Sequence, residues 1–458
     1  MTWEAWHIVA TRYTVFVVTA MTLAAVAGAR LFPRRPPETH KRGAMILSGT
    51  SRTWRRRARD DVLTLAGLAI PMLDETKHFK MVGTTGTGKS TAIRELLGGA
   101  LARGDRAIFA DPDGGYCDRF LKRHRGDIVL NPFEPLSVTW DPFAEIEDPY
   151  DIDQLSAGLI PATLDASSNE WRGYARTFLT AVLRRCRFDQ PRTTGELWRL
   201  LAVATMEELR ELVAGTPAMP FLDADNARMF GSIRSVAISA IAALEYIHAQ
   251  RTAPFSVRTW VRSGPRSGAL FIPYKAGQIA ALRAMIATWI RLAIVEAMNG
   301  DECSDQRLWF VVDEFDALGA IEGLKDALAR LRKFGGRCVL GFQSIAQVSG
   351  TYGVAEAQTL VENCGNTLIL RCSGSENGGT SQFASRLIGE REVIRRQTSR
   401  GSERGGAPFG PNARRSKNTS EQHVTESAVM ASQIEQLPDL CGYFKSASSQ
   451  SWRKVHLK

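Results

Sequence analysis

Cysteine is scarce and never paired in this sequence. The seven cysteines among 458 residues show no CxxC spacing and are odd in number. This excludes a disulfide framework and a zinc ribbon, leaving reduced thiols packed in a cytosolic body. General basicity is missing as well. The formal net charge is +10, yet residues 30–59 carry ten Lys/Arg against Glu38 alone, and residues 391–417 carry eight against Glu392 and Glu403. The remaining body is net acidic, so overall charge is no argument for nucleic acid. What is present is ordinary for a globular chain, 44% hydrophobic and 23% charged, long enough for about two or three domains.

One uncharged run stands out, YTVFVVTAMTLAAVAGA, from Tyr13 to Ala29. Its 17 residues are at the short end of what crosses a bilayer as a helix. Arg30, Arg34, Arg35, Lys41 and Arg42 follow it, against only Arg12 before it. The positive-inside rule then keeps the C-terminal side in the cytoplasm. A cleaved signal peptide ending in AVAGA is the competing reading, and the heavy basic flank opposes it. The cluster RTWRRRAR, Arg52 to Arg59, fits contact with DNA or with anionic lipid headgroups. Charge alone does not separate the two.

Behind this run lies the Walker A pattern G-x-x-x-x-G-K-[ST]: Gly83, Thr84, Thr85, Gly86, Thr87, Gly88, Lys89 and Ser90, continued by Thr91. Glycines let the backbone curl so that its N–H groups face a phosphate. Lys89 reaches the β/γ oxygens and the Ser90 hydroxyl coordinates Mg²⁺. HFKMVG reads as a strand entering the loop and STAIRELLGGALA as the helix leaving it, its N-terminus aimed at the phosphates. RLWFVVDEF supplies the complementary half, a buried strand ending in Asp313 and Glu314. Asp313 holds Mg²⁺ through water, and Glu314 positions or deprotonates the attacking water. That pair indicates hydrolysis rather than transfer to a second substrate. No NKxD-type guanine motif appears, which favours ATP.

The spacing of Ile321, Leu324, Leu328 and Leu331 predicts an amphipathic helix stopped at Gly335-Gly336. RCVLGFQ follows as a strand with Gln343 at its C-terminal end, where ligands of open parallel sheets bind. Gln343 reads as a γ-phosphate sensor or as a plain turn residue. Further strands are expected at RAIFADPDGGY, DIVLNPFEP, GALFIPY and TLILR. Between about Ala144 and Arg251 the text is helical, so an all-α domain is inserted into the P-loop sheet. Its Trp171, Arg172, Arg176, Arg184 and Arg185 fit either a partner or DNA, or an ordinary solvated face.

KRGAMILSG, GTTGTGKST, LNPFE, EWRGYAR, FSVRTWV, LWFVVDEFDAL, KDALARLRKFGGRCVLGFQS and LPDLCGYF occur here in that order. In this the chain resembles the coupling proteins of conjugative type IV secretion, of the TraD and TrwB kind, from about residue 30 to the end. The resemblance implies an α/β fold: a RecA-like P-loop NTPase domain with an inserted all-α domain and an N-terminal transmembrane helix. It divides the chain into a short periplasmic N-terminus (1–12), a transmembrane helix (13–32), a first RecA-like part (33–143), the all-α insertion (144–254) and a second RecA-like part (255–458). Within the last, the Gly/Ser/Arg-rich residues 391–422 read as a mobile basic loop, either an arm for DNA phosphates or a linker.

It further implies ATP and Mg²⁺ as cofactors, a homohexamer at the inner membrane with most of the chain cytoplasmic, and partners in single-stranded DNA, the relaxase of the relaxosome and the secretion channel. By position, Lys89, Glu314 and Gln343 act on the nucleotide, and Arg332 is the arginine finger given to a neighbouring subunit. On its residues alone, Arg332 is a helix-end cation complementing the dipole. Such proteins usually have two transmembrane helices, and the single run here resembles the second. The long acidic tail that some members use for docking is not seen. The function implied is an ATPase driving DNA transfer. The alternative is an ATP-switched receptor that recruits proteins without pumping DNA, and an unrelated chromosome pump is a weaker third.

Overall fold

The structure, a computed structural model, describes residues 38–47, 61–188, 193–264, 267–300, 307–376, 378–404 and 413–458. The expected membrane helix (13–32) and the Arg52–Arg59 cluster lie outside these residues. Among those described, no single helix is long and apolar enough to cross a membrane, and no disulfide occurs. The described residues form two compact units, those of 45–388 with 429–458, and those of 38–44 with 389–428.

The larger unit is built on a ten-stranded sheet. Its order is Met45–Leu47, Ser451–His456, Cys441–Lys445, Asn366–Ile369, Phe79–Val82, Gly336–Phe342, Leu308–Val312, Arg106–Pro112, Gly268–Tyr274, Ile128–Val129. All neighbours from Asn366–Ile369 to Ile128–Val129 are parallel, and an antiparallel pair is added at one side. Continuous apolar strands such as LWFVV and GALFIPY are buried along their whole length, as parallel strands covered on both faces require. The helix Lys89–Ala102 turns Ile93, Leu96 and Leu97 into a core with Phe79, Phe109 and Trp309.

The described residues of 149–249 are largely helical, with long helices at Ala166–Phe188 and Ala227–Ile241 locked by a perpendicular contact of Phe178 and Phe230, ring centroids 5.0 Å apart. The chain enters and leaves this region side by side, because Thr139–Trp140 and Pro254–Phe255 pair in parallel. Buried Glu145 staples the junction. It accepts from Trp140 Nε1 (2.8 Å), Ser256 Oγ (3.0 Å) and the Val257 amide (2.7 Å), and so many donors offset the cost of burying its charge.

Two expectations need correction. The helix predicted from Ile321 begins at Leu324 and tightens into a 3-10 turn over Leu331–Phe334. Gly323 takes φ 79° before it, and the Ile321 amide donates to Tyr352 Oη instead of joining the helix. Within 391–422, expected to be a loop, the described residues form strands. In the smaller unit Glu390–Arg404 pairs antiparallel with Ala413–Ser427 and with Glu38–Gly43. The composition suggested disorder, but the register sets Val393 opposite Val424 and Thr398 opposite Thr419. It also ties Arg391 to Glu426 (2.7 Å) and Arg396 to Glu421 (2.8 Å). Cross-strand β-branched and opposite-charge pairs of this kind stabilise a hairpin. Glu392 is held down to about 2 by Lys41, His423 and Arg42.

Candidate nucleotide site

Parallel strands with one direction place all their C-terminal ends along one edge, and there the site residues gather. The loop Gly83–Gly88 leaves the strand Phe79–Val82 with Gly86 at φ 77° and Gly88 at φ 115°, conformations open to glycine. At Gly83 a Cβ would come within 2.8 Å of Thr87 Oγ1 and 2.9 Å of Leu370. At Gly88 it would come within 2.9 Å of both Leu440 and Leu457. The loop is therefore packed as well as flexible in type. Thr87 Oγ1 donates to the Thr84 carbonyl (2.7 Å), and the Thr84 amide to the Arg371 carbonyl (2.9 Å). Thr91 lies half-buried as the third residue of the helix.

Lys89 Nζ folds back on the loop and donates to the carbonyls of Gly83 (2.5 Å) and Thr84 (3.2 Å). Burial pushes its pKa down, while Asp313 and Glu314 pull the other way. Ser90 Oγ donates to Asp313 Oδ2 at 3.0 Å. Glu314 takes φ 57°, an uncommon backbone state for a residue with a side chain. Its carboxyl is raised by burial, against the hydrogen bond from Gln343. Gln343 bridges the two halves: Thr85 Oγ1 donates to its Oε1 (2.9 Å), and its Nε2 donates to Glu314 Oε1 (2.6 Å). The structure thus brings Lys89, Ser90, Asp313, Glu314 and Gln343 together.

Arg332 is not among them. It is exposed on the 3-10 turn that precedes the strand Gly336–Phe342, at the opposite edge of the sheet. The helical-region arginines are engaged within the chain. Arg176 donates to the Ile160 carbonyl (2.8 Å), Arg172 to that of Pro161 (3.3 Å), Arg185 to that of Ala214 (2.6 Å), and Arg184 pairs with Asp153 (3.1 Å).

Sequence reasoning missed Tyr116, Asp111, Gly341 and Tyr274. Tyr116 Oη donates to Asp313 Oδ2 at 2.7 Å. Asp111, next to Asp313 on the neighbouring strand, accepts the amides of Tyr116 (3.0 Å) and Cys117 (2.6 Å). Burial, with Asp118 and Asp313 nearby, raises its pKa to about 6. A Cβ at Gly341 would meet Asp313 Oδ1 at 2.5 Å. Tyr274 Oη ends its strand buried without a hydrogen-bond partner. The one available signal was the DPDGGY stretch closing a strand, which marks a strand end but not what its side chains face.

A divalent cation fits these residues. Asp313 Oδ1 is buried and has no hydrogen-bond partner, and a hydroxyl stands beside Oδ2. Among the described residues no three His, Cys, Asp or Glu side chains converge as a metal cage. One carboxylate and one hydroxyl, completed by phosphate oxygens and water, is how Mg²⁺ is commonly held.

Fold and site together define the P-loop NTPase class, a parallel α/β sheet with its phosphate loop and paired acidic strand end on one edge. Within that class, the chain belongs to the family described as the type IV secretion-system coupling protein DNA-binding domain, whose model matches residues 62–458. Coupling protein TraD of Escherichia coli (strain K12) is 29% identical over 417 residues, 89% of this chain and 56% of TraD. The chain spans a little over half the length of that curated relative. Among solved structures, the unbound bacterial conjugative coupling protein TrwBdeltaN70 superposes with a TM-score of 0.80 at 30% identity, covering 92% of this chain and 94% of the other. The plasmid coupling protein TrwB with the ATP analogue ADPNP gives 0.80 at 30% identity, covering 93% and 96%. TrwB has also been solved with the GTP analogue GDPNP and with ADP and Mg²⁺.

Proposed function

We propose that this chain is the ATPase of a conjugative coupling protein. It links the relaxosome to the type IV secretion channel and drives single-stranded DNA, with its relaxase, through a ring of six copies beneath the inner membrane. In that assembly residues 13–32 are the anchor, 144–254 the inserted all-α domain, and 33–143 with 255–458 the RecA-like motor. The observation that carries the reading is the Thr85–Gln343–Glu314 chain of hydrogen bonds, set beside Lys89 and the Ser90–Asp313 pair in a chain of this family.

Mg²⁺, held by Ser90 and Asp313, supplies charge neutralisation to the phosphates when bound. Everything else falls to side chains. Lys89 leaves its two loop carbonyls for the β/γ oxygens, a stronger, charge-assisted partner. Glu314, its pKa raised by burial, takes a proton from a water that it orients towards the γ-phosphorus. Gln343 holds both Glu314 and the loop hydroxyl of Thr85, so loss of the γ-phosphate is felt at both ends. Arg332, exposed and remote from the site in its own chain, serves a neighbouring copy on this reading, where a cation stabilises developing charge.

A mating assay with wild type, Lys89→Ala and Arg332→Ala tests this. Lys89→Ala is expected to lower ATP hydrolysis by on the order of 10²–10³-fold and to abolish plasmid transfer. Co-expression of the two variants restores part of the activity if sites are completed in trans. Normal transfer by Lys89→Ala would sink the motor reading. Hydrolysis without DNA stimulation, alongside capture of a relaxase, would favour a protein receptor instead.

A further inference from the structure

Asp313 is offered two hydroxyls on the same oxygen, and that duplication is informative. Ser90 Oγ and Tyr116 Oη both donate to Oδ2, at 3.0 and 2.7 Å, while Oδ1 is buried without a partner. The serine hydroxyl is the group expected to turn to the metal when nucleotide binds. Once it leaves, the Tyr116 hydroxyl still donates to Oδ2.

Tyr116 is built to stay. It is 2% exposed, and its ring stacks on Phe109 with centroids 5.5 Å apart and planes at 26°. The short helix that carries it, Gly115–Phe120, is fastened at its start, because the amides of Tyr116 and Cys117 both donate to buried Asp111. The Arg94 guanidinium also lies over the ring, 5.9 Å from its centroid. A ring held by stacking and a fixed backbone leaves its hydroxyl little freedom, which is what a second layer around a metal ligand requires. On the other side of the carboxylate, Gly341 keeps Oδ1 clear, since any Cβ there would stand 2.5 Å from it.

We propose that Tyr116 is a positioning residue for the divalent cation: by holding Oδ2 of Asp313 it presents Oδ1 towards the metal, whether directly or through water. The inference rests on the ATPase reading above. It concerns how the acidic strand end is aimed, and it assigns a role to a residue outside both Walker motifs.

The test compares full-length wild type with Tyr116→Phe, which keeps the ring and removes only the hydroxyl. Mn²⁺ is titrated in the presence of ADPNP and its bound fraction read by electron paramagnetic resonance. ADPNP binding is measured separately in EDTA, and melting is followed for both proteins. The expected result is roughly tenfold weaker Mn²⁺ binding, with metal-free ADPNP affinity unchanged. Steady-state hydrolysis should show the same loss as a rise in the Mg²⁺ concentration for half-maximal rate, recovered at high Mg²⁺. Unchanged Mn²⁺ affinity in a variant that melts like wild type would overturn the inference and leave the ATPase reading standing. So would an equal loss of ADPNP binding in EDTA, which marks a structural role only. A wild type that binds no nucleotide would instead overturn the ATPase reading, and the inference with it.

Discussion

The two edges of the parallel sheet both collect buried charge, and they treat it in opposite ways. At the edge where strands begin, Glu75 accepts from Arg103 (2.8 and 2.9 Å) and Arg337 (3.1 Å). Asp105 accepts from Arg103 (2.5 Å) and Trp309 Nε1 (2.8 Å), with Arg307 at 3.7 Å. Arginines meet both carboxylates there, and the carboxylate oxygens are taken up within the chain. At the edge where strands end, Lys89 faces Asp313, Glu314 and Asp316, with Asp111 one strand over. Burial raises the pKa of Asp111 to about 6 and pushes those of Glu314 and Asp316 up as well, and Asp313 Oδ1 and Asp316 Oδ1 have no partner. A self-satisfied cluster stabilises a fold, whereas an acid-rich one with free oxygens is arranged for a cation and phosphates that come from outside. Buried charge alone would not have told the two apart.

The largest test of this contrast is a pair of substitutions. Glu75→Ala removes the carboxylate partner of Arg337 and two of Arg103's five hydrogen bonds, and should cost about 3–5 kcal/mol in unfolding free energy, read from urea denaturation. The nucleotide affinity of the remaining folded protein should not change. Lys89→Ala should do the reverse. If Glu75→Ala lost nucleotide binding at full stability, the division between the edges would fail.

A smaller effect is expected from pH. His78, at φ 54°, is buried at the strand-beginning edge. It bonds the Leu328 carbonyl through Nε2 (2.9 Å) and the Cys338 amide through Nδ1 (3.1 Å), which assigns the proton to Nε2. Burial lowers its pKa to about 4, with Arg332 and Arg337 adding to the shift and the Leu328 carbonyl opposing it. A depressed folded pKa means that the unfolded chain binds more protons between about pH 4 and 6.5. Stability should therefore fall on acidification through that window, by about 2 kcal/mol from pH 7 to pH 5, and His78→Gln should flatten this part of the curve. Smallest of all is Arg307→Ala. Its pair with Asp105 is long and its side chain a third exposed, so a loss under about 1 kcal/mol is expected. A larger loss would place Arg307 inside the network rather than at its rim.

Local pattern was enough for part of the site. The loop Gly83–Ser90 and the pair Asp313–Glu314 are contiguous, and their chemistry depends on backbone shape and residue type over a few positions. Gln343 was legible because a strand of a parallel sheet delivers its last residue to the ligand edge. Tyr116 was not, because its partner lies 197 residues away and its own segment reads as an ordinary turn. The strands within 391–422 were hidden for a related reason. Gly, Ser and Arg weaken any single strand, and only the register, with Val393 on Val424 and Arg396 beside Glu421, supplies what composition lacks. Arg332 is the converse case, since family resemblance gave it a role that no contact within one chain expresses.

By itself, then, the sequence determined the phosphate loop, the acidic strand end, the alternation of strands and helices, and the basic flank of an uncharged run. Each of these is a matter of neighbours along the chain, where hydrophobic period, glycine content and charge act over a few residues. Tertiary structure alone decided which edge's buried charges are closed and which are open, which oxygen of Asp313 is free, and that a glycine-rich basic stretch pairs as a sheet. Those outcomes depend on which distant groups desolvate together. Hydrogen bonding and burial act through space, and their sign is set only when the partners have met.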